Sequence, residues 1–274
     1  MSSTAPSKRE RSANSLPSGQ GLLAWLKPIL ASTVGGKFLV ALTGLALSGF
    51  VIVHMLGNLQ IFLGPDAINE YAKKLKELGP LLWVARLVLL ALFLLHISVA
   101  IRLKIRSNEA RPIAYAHPQT VQASFASRSM IWSGLLVLVF VVFHIAHYTL
   151  GAIQPVPVPS DQSTTPKLNV KGEVETTEKN LLELKDSKGR HDVYRMMIYG
   201  FTNPLIAILY IFAQIVLMLH LSHGVASIFQ TLGLNTPRTQ STFWALGWLV
   251  TLVVGGGNIG IVIAVWFGLF PVPV

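Results

Sequence analysis

The sequence predicts an all-α, polytopic membrane protein with five transmembrane helices, and three observations carry that prediction. Hydrophobic residues make up 52% of the 274 and charged residues only 12%, against about 25% charged in an ordinary soluble domain. Five stretches run about 20 residues or more with almost no charge inside them, each long enough to cross a hydrocarbon core of about 30 Å. A soluble fold would have to bury all five in one core, and too few polar residues remain to cover it.

Residues 1–37 read as a flexible cytoplasmic tail. Lys8, Arg9, Glu10 and Arg11 sit in a Ser/Pro/Gly-rich segment without the apolar run or cleavage site of a secretory signal. A transmembrane domain follows over 38–270, with spans at 38–63, 81–101, 130–153, 202–232 and 242–270. Between the first two spans, 66–78 (DAINEYAKKLKEL) places Ile68, Tyr71, Leu75 and Leu78 on one side of a short interfacial helix. The polar loop 154–195 opens with Pro155, Pro157 and Pro159 and turns Lys/Glu-rich, so it is expected to be irregular or only partly ordered. The fifth span carries Gly255, Gly256, Gly257 and Gly260, read as small residues that permit close helix packing. No convincing internal repeat is read.

The formal charge is +10, but the basic residues sit in loops and tails flanking the spans. There they meet anionic lipid headgroups or a partner subunit rather than nucleic acid. The chain has no cysteine, which excludes disulfides, thiolate metal sites and thioether-linked cofactors. With the N-terminus inside, 11 of the 22 basic residues fall on the cytoplasmic side. Setting aside seven opposing residues in the long loop or at its Arg195 end, the short flanks favour N-inside by 11 to 4.

Six of the eight histidines fall within the apolar spans: His54, His96, His144, His147, His220 and His223. An ionisable side chain in a membrane span is costly and by default functional. His54 lies 17 residues after Lys37, His96 16 after Pro80, His144 16 after Arg128 and His220 17 after Asn203. At 1.5 Å per residue each is about 24 Å into its span. Successive spans run in opposite directions, so His54 and His144 share an outer layer while His96 and His220 share an inner one. Two histidines facing each other at one depth are what a six-coordinate haem requires, four nitrogens from the porphyrin and two axial imidazoles. The two layers therefore predict two b-type haems. A proton relay would bring acidic residues with it, and these spans contain no Asp or Glu.

His147 and His223 each follow a preferred ligand by three residues, on nearly the same helix face, so either could replace its neighbour. Both lie about 4.5 Å nearer the surface, where a haem propionate or a quinone suits them better. Lys37, Arg102, Arg128 and Ser129 flank the inner layer, and His147 and Tyr148 the outer one, as propionate partners or simply as interface anchors. Trp83, Trp132, Trp244 and Trp248 read as aromatic-belt residues. His117 and His191 fall in loops and read as surface residues.

Several segments carry a family likeness: GKFLVALTGLALSGFVIVHMLGNLQIF, LLHISVAIRLK…NEARPIAY, SRSMIWSGLLVLVFVVFHIAHYTLG, HDVYRMMIYGF and LHLSHGVASIFQTLGLN. Through them, over roughly residues 36–235, the chain resembles the single-subunit, five-helix, two-haem cytochrome b anchors of bacterial succinate:quinone oxidoreductases. The resemblance implies haem ligation by helices one and three (His54, His144) and by helices two and four (His96, His220). It also implies an H-x-S-x-G pattern at His220, Ser222 and Gly224, which favours His220 over His223. It further implies a flavoprotein subunit that oxidises succinate, an iron–sulfur subunit that relays electrons, menaquinone as the acceptor, and a bacterial cytoplasmic membrane. The anchor itself would not act on succinate, and the chain carries no flavin fingerprint. Two alternatives remain at this point, a cytochrome b subunit of another quinone-linked complex and a haem-free, proton-coupled transporter.

Overall fold

The computed structural model describes residues 31–111, 113, 123–159 and 176–271. The tail through residue 30, His117 and the middle of the 154–195 loop lie outside them. Among the described residues the chain forms eight α-helices and one short ribbon. Five helical stretches are long and apolar enough to cross a membrane, so this is a multi-pass membrane protein. These are α1 (Thr33–Asn58) with a 3₁₀ turn Leu59–Leu63, α3 (Pro80–Glu109), α5 (Met130–His144) with a π turn Ile145–Thr149, α7 (Pro204–Thr231) and α8 (Gln240–Trp266). Two short helices, α2 (Pro65–Glu77) and α6 (Val193–Thr202), lie between spans, and the single turn α4 (Phe125–Arg128) leads into α5.

Local chemistry sets the ends. Ser32 caps α1 by accepting from the Gly35 N–H at 2.9 Å. Gly64 and Gly79, at φ 99° and 52°, bracket α2 in a backbone region that glycine enters without a Cβ clash. The fourth span starts later than the hydropathy indicates because Asn203 accepts from the Leu205 and Ile206 N–H groups, at 3.0 and 3.4 Å, with Pro204 at the first helical position. That break separates α6 as a helix of its own.

Four spans form a square in cross-section. α1 packs against α3 and α7, and α5 packs against α7 and, more lightly, α3. The pairs α1/α5 and α3/α7 are therefore the diagonals. α8 lies outside the square against α7 and α1. Of its glycines, Gly255 and Gly257 are the close approaches, since an added Cβ would overlap the side chains of Met218 and Met55; Gly256 and Gly260 face open space.

The polar loop is more structured than expected. β1 (Pro155–Pro159) pairs antiparallel with β2 (Thr176–Asn180), with Pro155 opposite Asn180. The alternation that looked irregular suits an edge strand, because every second residue keeps its N–H. A 3₁₀ turn (Leu181–Glu183) and α6 follow, and α6 docks on α2. The short helix expected at 66–78 is present as α2 (Pro65–Glu77), with Ile68 fully buried, but Leu75 and Leu78 are exposed. Asn69 is 1% exposed; its amide donates to Asp192 (3.2 Å) and Asp186 (3.3 Å), and its carbonyl accepts from the Tyr194 N–H (3.1 Å). Arg190 clamps the same surface, reaching Asp66 at 2.6 Å, Glu70 at 3.0 Å and Asp186 at 2.7 Å.

This polar cap is expected to loosen in acid. Burial, and then Lys76, holds His191 below its usual 6.5. The unfolded chain therefore takes up protons first, and stability falls as pH drops below that value. Asp66 is held below its usual 3.8 by Lys188 and then Arg190. Its contribution is whole above that value and is lost as pH falls through the lower folded one. Thermal unfolding between pH 7 and 5 tests the first part. The midpoint should drop more steeply in the native chain than in His191→Gln; equal slopes would remove His191 as the cause.

Candidate functional site

The outer-layer residues meet inside the square, across a diagonal. His54 on α1 and His144 on α5 are in edge-on contact, with ring centroids 5.8 Å apart and planes at 89°. Phe50 stacks on His54 at 5.5 Å. Tyr210 of α7 places its hydroxyl 3.2 Å from His144 Nδ1 and 3.0 Å from His147 Nδ1, so one hydroxyl serves two imidazoles. The π turn at Ile145–Thr149 changes the helical register just after His144. His147 is fully buried, its ring 4.2 Å from that of Tyr148. Its Nε2 and the Tyr148 hydroxyl are buried without a hydrogen-bond partner among the described residues. Only His144 of this pair is in ring contact with His54, which favours it over His147 for the shared layer.

The inner layer is built on the other diagonal. His220 on α7 lies within electrostatic range of His96 on α3. Each ring is held by the neighbouring helix: His96 Nδ1 lies 3.0 Å from the Thr43 hydroxyl of α1, and His220 Nδ1 lies 3.1 Å from the Ser133 hydroxyl of α5. Gly44 and Gly134 admit the two rings, since an added Cβ would sit 3.2 and 3.3 Å from their Cε1 atoms.

The remaining sequence candidates scatter around this core. Arg102 of α3 is half-buried against Gly36 of α1, where an added Cβ would lie 3.2 Å from its guanidinium. Lys37 and Arg128 are exposed. Ser129 donates to the Phe125 carbonyl at 2.9 Å and Ser222 to the Leu219 carbonyl at 2.9 Å, so both hydroxyl protons are used within their own helices. His223 is half-buried beside His220. His191 belongs to the folded cap, bridged to Lys185, with a buried Nδ1; it is not the plain surface residue the loop position implied. Tryptophans 83, 132, 244 and 248 are exposed near the span ends, as belt residues are.

Comparison with protein-family models, with curated proteins and with solved structures gives no match for this chain. The chemistry therefore rests on the donors themselves. Two imidazoles on one iron, with bonds of about 2 Å, hold their ring centres about 6 Å apart, and the His54–His144 separation fits that. No group of three or more His, Asp or Glu among the described residues is placed to hold a bare metal ion. Two-histidine sets suit a metal already held by a macrocycle. The unpartnered His147 Nε2 and Tyr148 hydroxyl suit an acceptor or donor on the same bound group.

Thr43, Ser133 and Tyr210 are site residues that the sequence reading missed. A hydroxyl in a span is a weak signal by itself, because it can bond its own helix. What separates these three is the imidazole opposite.

Proposed function

We propose that this chain is the membrane-anchor cytochrome b of a bacterial succinate:quinone oxidoreductase, carrying electrons between an iron–sulfur subunit and menaquinone. The observation that supports it best is the placement of four histidines on the two diagonals of a four-helix square, at two depths. Cofactor sites in helical bundles are built in this way, from side chains projecting inward from opposite helices.

His54 and His144 would hold one haem b, His96 and His220 the other. Bound haem supplies reversible one-electron chemistry, which matches a quinone's stepwise reduction to the one-electron carriers of an iron–sulfur subunit. The chain's own residues would ligate and orient. The Tyr210 hydroxyl orients His144, apolar side chains of α1, α5 and α7 surround the pair, and His147 with Tyr148 offers polar atoms to a propionate or a quinone oxygen. Arg102, at the opposite end and against Gly36 of α1, would meet a propionate of the inner group. Succinate chemistry belongs to a flavoprotein partner. The N-terminus is assigned to the cytoplasm, so the docking face for both partner subunits is the inner one.

The test is a dithionite-reduced-minus-oxidised spectrum of the purified complex, with pyridine-haemochrome quantification per anchor chain. Two b-type haems per chain, reducible by succinate and reoxidised by a menaquinone analogue, are expected. Two haems without succinate reduction would move the chain to another quinone-linked complex. None in an intact complex would overturn electron transfer.

A further inference from the structure

The two hydroxyls that touch the inner histidines form a repeated device. Thr43 Oγ1 lies 2.6 Å from the Leu39 carbonyl, and Ser133 Oγ lies 3.2 Å from the Met130 carbonyl. A carbonyl can only accept, so each hydroxyl is able to give its proton to its own helix. In that arrangement the hydroxyl oxygen faces the imidazole as an acceptor, with the ring proton on Nδ1 and the lone pair on Nε2. Each hydroxyl is followed by the glycine that makes room for the ring, Gly44 and Gly134.

The spacing repeats as well. Thr43-Gly44 precedes His54 as Ser133-Gly134 precedes His144, in each case with the hydroxyl residue 11 positions before the histidine. Eleven residues make three turns to within about 20° and rise about 16 Å. One face of α1 therefore carries its own outer-layer histidine and, about 16 Å away, a seat for the inner histidine of α3. α5 does the same for α7. The repeat is short, and it has meaning only once the structure shows what each hydroxyl touches. The outer layer lacks the matched seats, since His144 shares Tyr210 with His147 and His54 has no hydrogen bond among the described residues.

We propose that Thr43 and Ser133 are positioning residues that fix His96 and His220 as Nδ1–H tautomers and present both Nε2 lone pairs to the inner iron. The inference rests on the two-haem reading above. An anchored Nδ1–H makes an imidazole more electron-rich and holds its ring orientation. That favours the ferric state and lowers the potential of the inner haem.

Thr43→Val and Ser133→Ala, made in the intact complex, remove the hydroxyls with little change of volume. Potentiometric titration with low-temperature EPR follows the two haems separately. Each variant should retain two haems and raise the same midpoint, the one belonging to the haem lost in His96→Ala. A tenfold shift of that haem's ferric-to-ferrous balance corresponds to about 59 mV for one electron. The other midpoint should stay in place, and Thr43→Ser and Ser133→Thr should restore the native value. Unchanged midpoints in haem-replete variants, or a shift confined to the outer haem, would overturn the inference and leave the two-haem reading standing. A native complex without haem would remove that reading itself. If Thr43→Val fails to assemble, Ser133→Ala and the hydroxyl-retaining Thr43→Ser settle the question instead: the first must move the midpoint and the second must not.

Discussion

If the chain holds the two haems proposed above, alanine at His96 or at His220 is expected to cut the haem content from two per chain to one, and alanine at His54 or His144 to remove the other. On the inner diagonal His96 has only the Thr43 hydroxyl beside it among the described residues, whereas His220 has His223 half-buried next to it, so two haems retained in His220→Ala alone would pass its role to His223. Loss of one ligand therefore costs the second its partner, and the affinity of the pair goes with it. The outer diagonal contains a nearby competitor, because His147 shares the Tyr210 hydroxyl with His144. His147→Ala should nonetheless keep two haems, since His147 is not in ring contact with His54. Pyridine-haemochrome counts on membranes carrying each variant decide the matter. A His144→Ala chain with two haems and a His147→Ala chain with one would exchange the two roles. Two haems retained in His96→Ala would break the inner pair.

The second large effect belongs to the polar cap. Asn69→Leu is expected to lower the stability of the protein by about 2–4 kcal/mol, as three polar partners, two of them buried, each lose a bond together. Asp192 and Asp186 each lose a donor and the Tyr194 N–H loses its acceptor, inside a surface that Arg190 and Arg195 already organise. Leucine fills the space, so the change is one of hydrogen bonding rather than of a cavity. Thermal unfolding of the detergent-solubilised protein should shift down by several degrees, with the histidine pairs of the spans undisturbed because the cap lies beyond them. An unchanged midpoint would mean that α2 and α6 are held together by their apolar contacts alone.

Much of the architecture could be read along the chain. A run of apolar residues is a local property, and the five spans follow from it. The depth of a histidine within its span follows from the helical rise alone, and the alternation of direction turns depth into layers. His54 with His144 and His96 with His220 are legible on those two grounds. The same one-dimensional reading placed a short helix at 66–78, where α2 runs over Pro65–Glu77, because its amphipathic spacing is local too.

What only the tertiary structure decided is rotation and partnership. Rise places a side chain at a depth but does not say which neighbour it faces, and that depends on how helices far apart in sequence pack side by side. Thr43 and Ser133 look like ordinary hydroxyls bonded to their own helices until α3 and α7 bring imidazoles against them. Tyr210 becomes a site residue only because the register after His144 brings two histidines to one hydroxyl. The prolines of 155–159 read as irregular loop until the partner strand 176–180 supplies the pairing, and Asn69 finds its partners only where residues 186–194 dock on α2. In each case the deciding interaction spans roughly 20 to 125 residues of sequence, beyond the reach of any periodicity or local propensity.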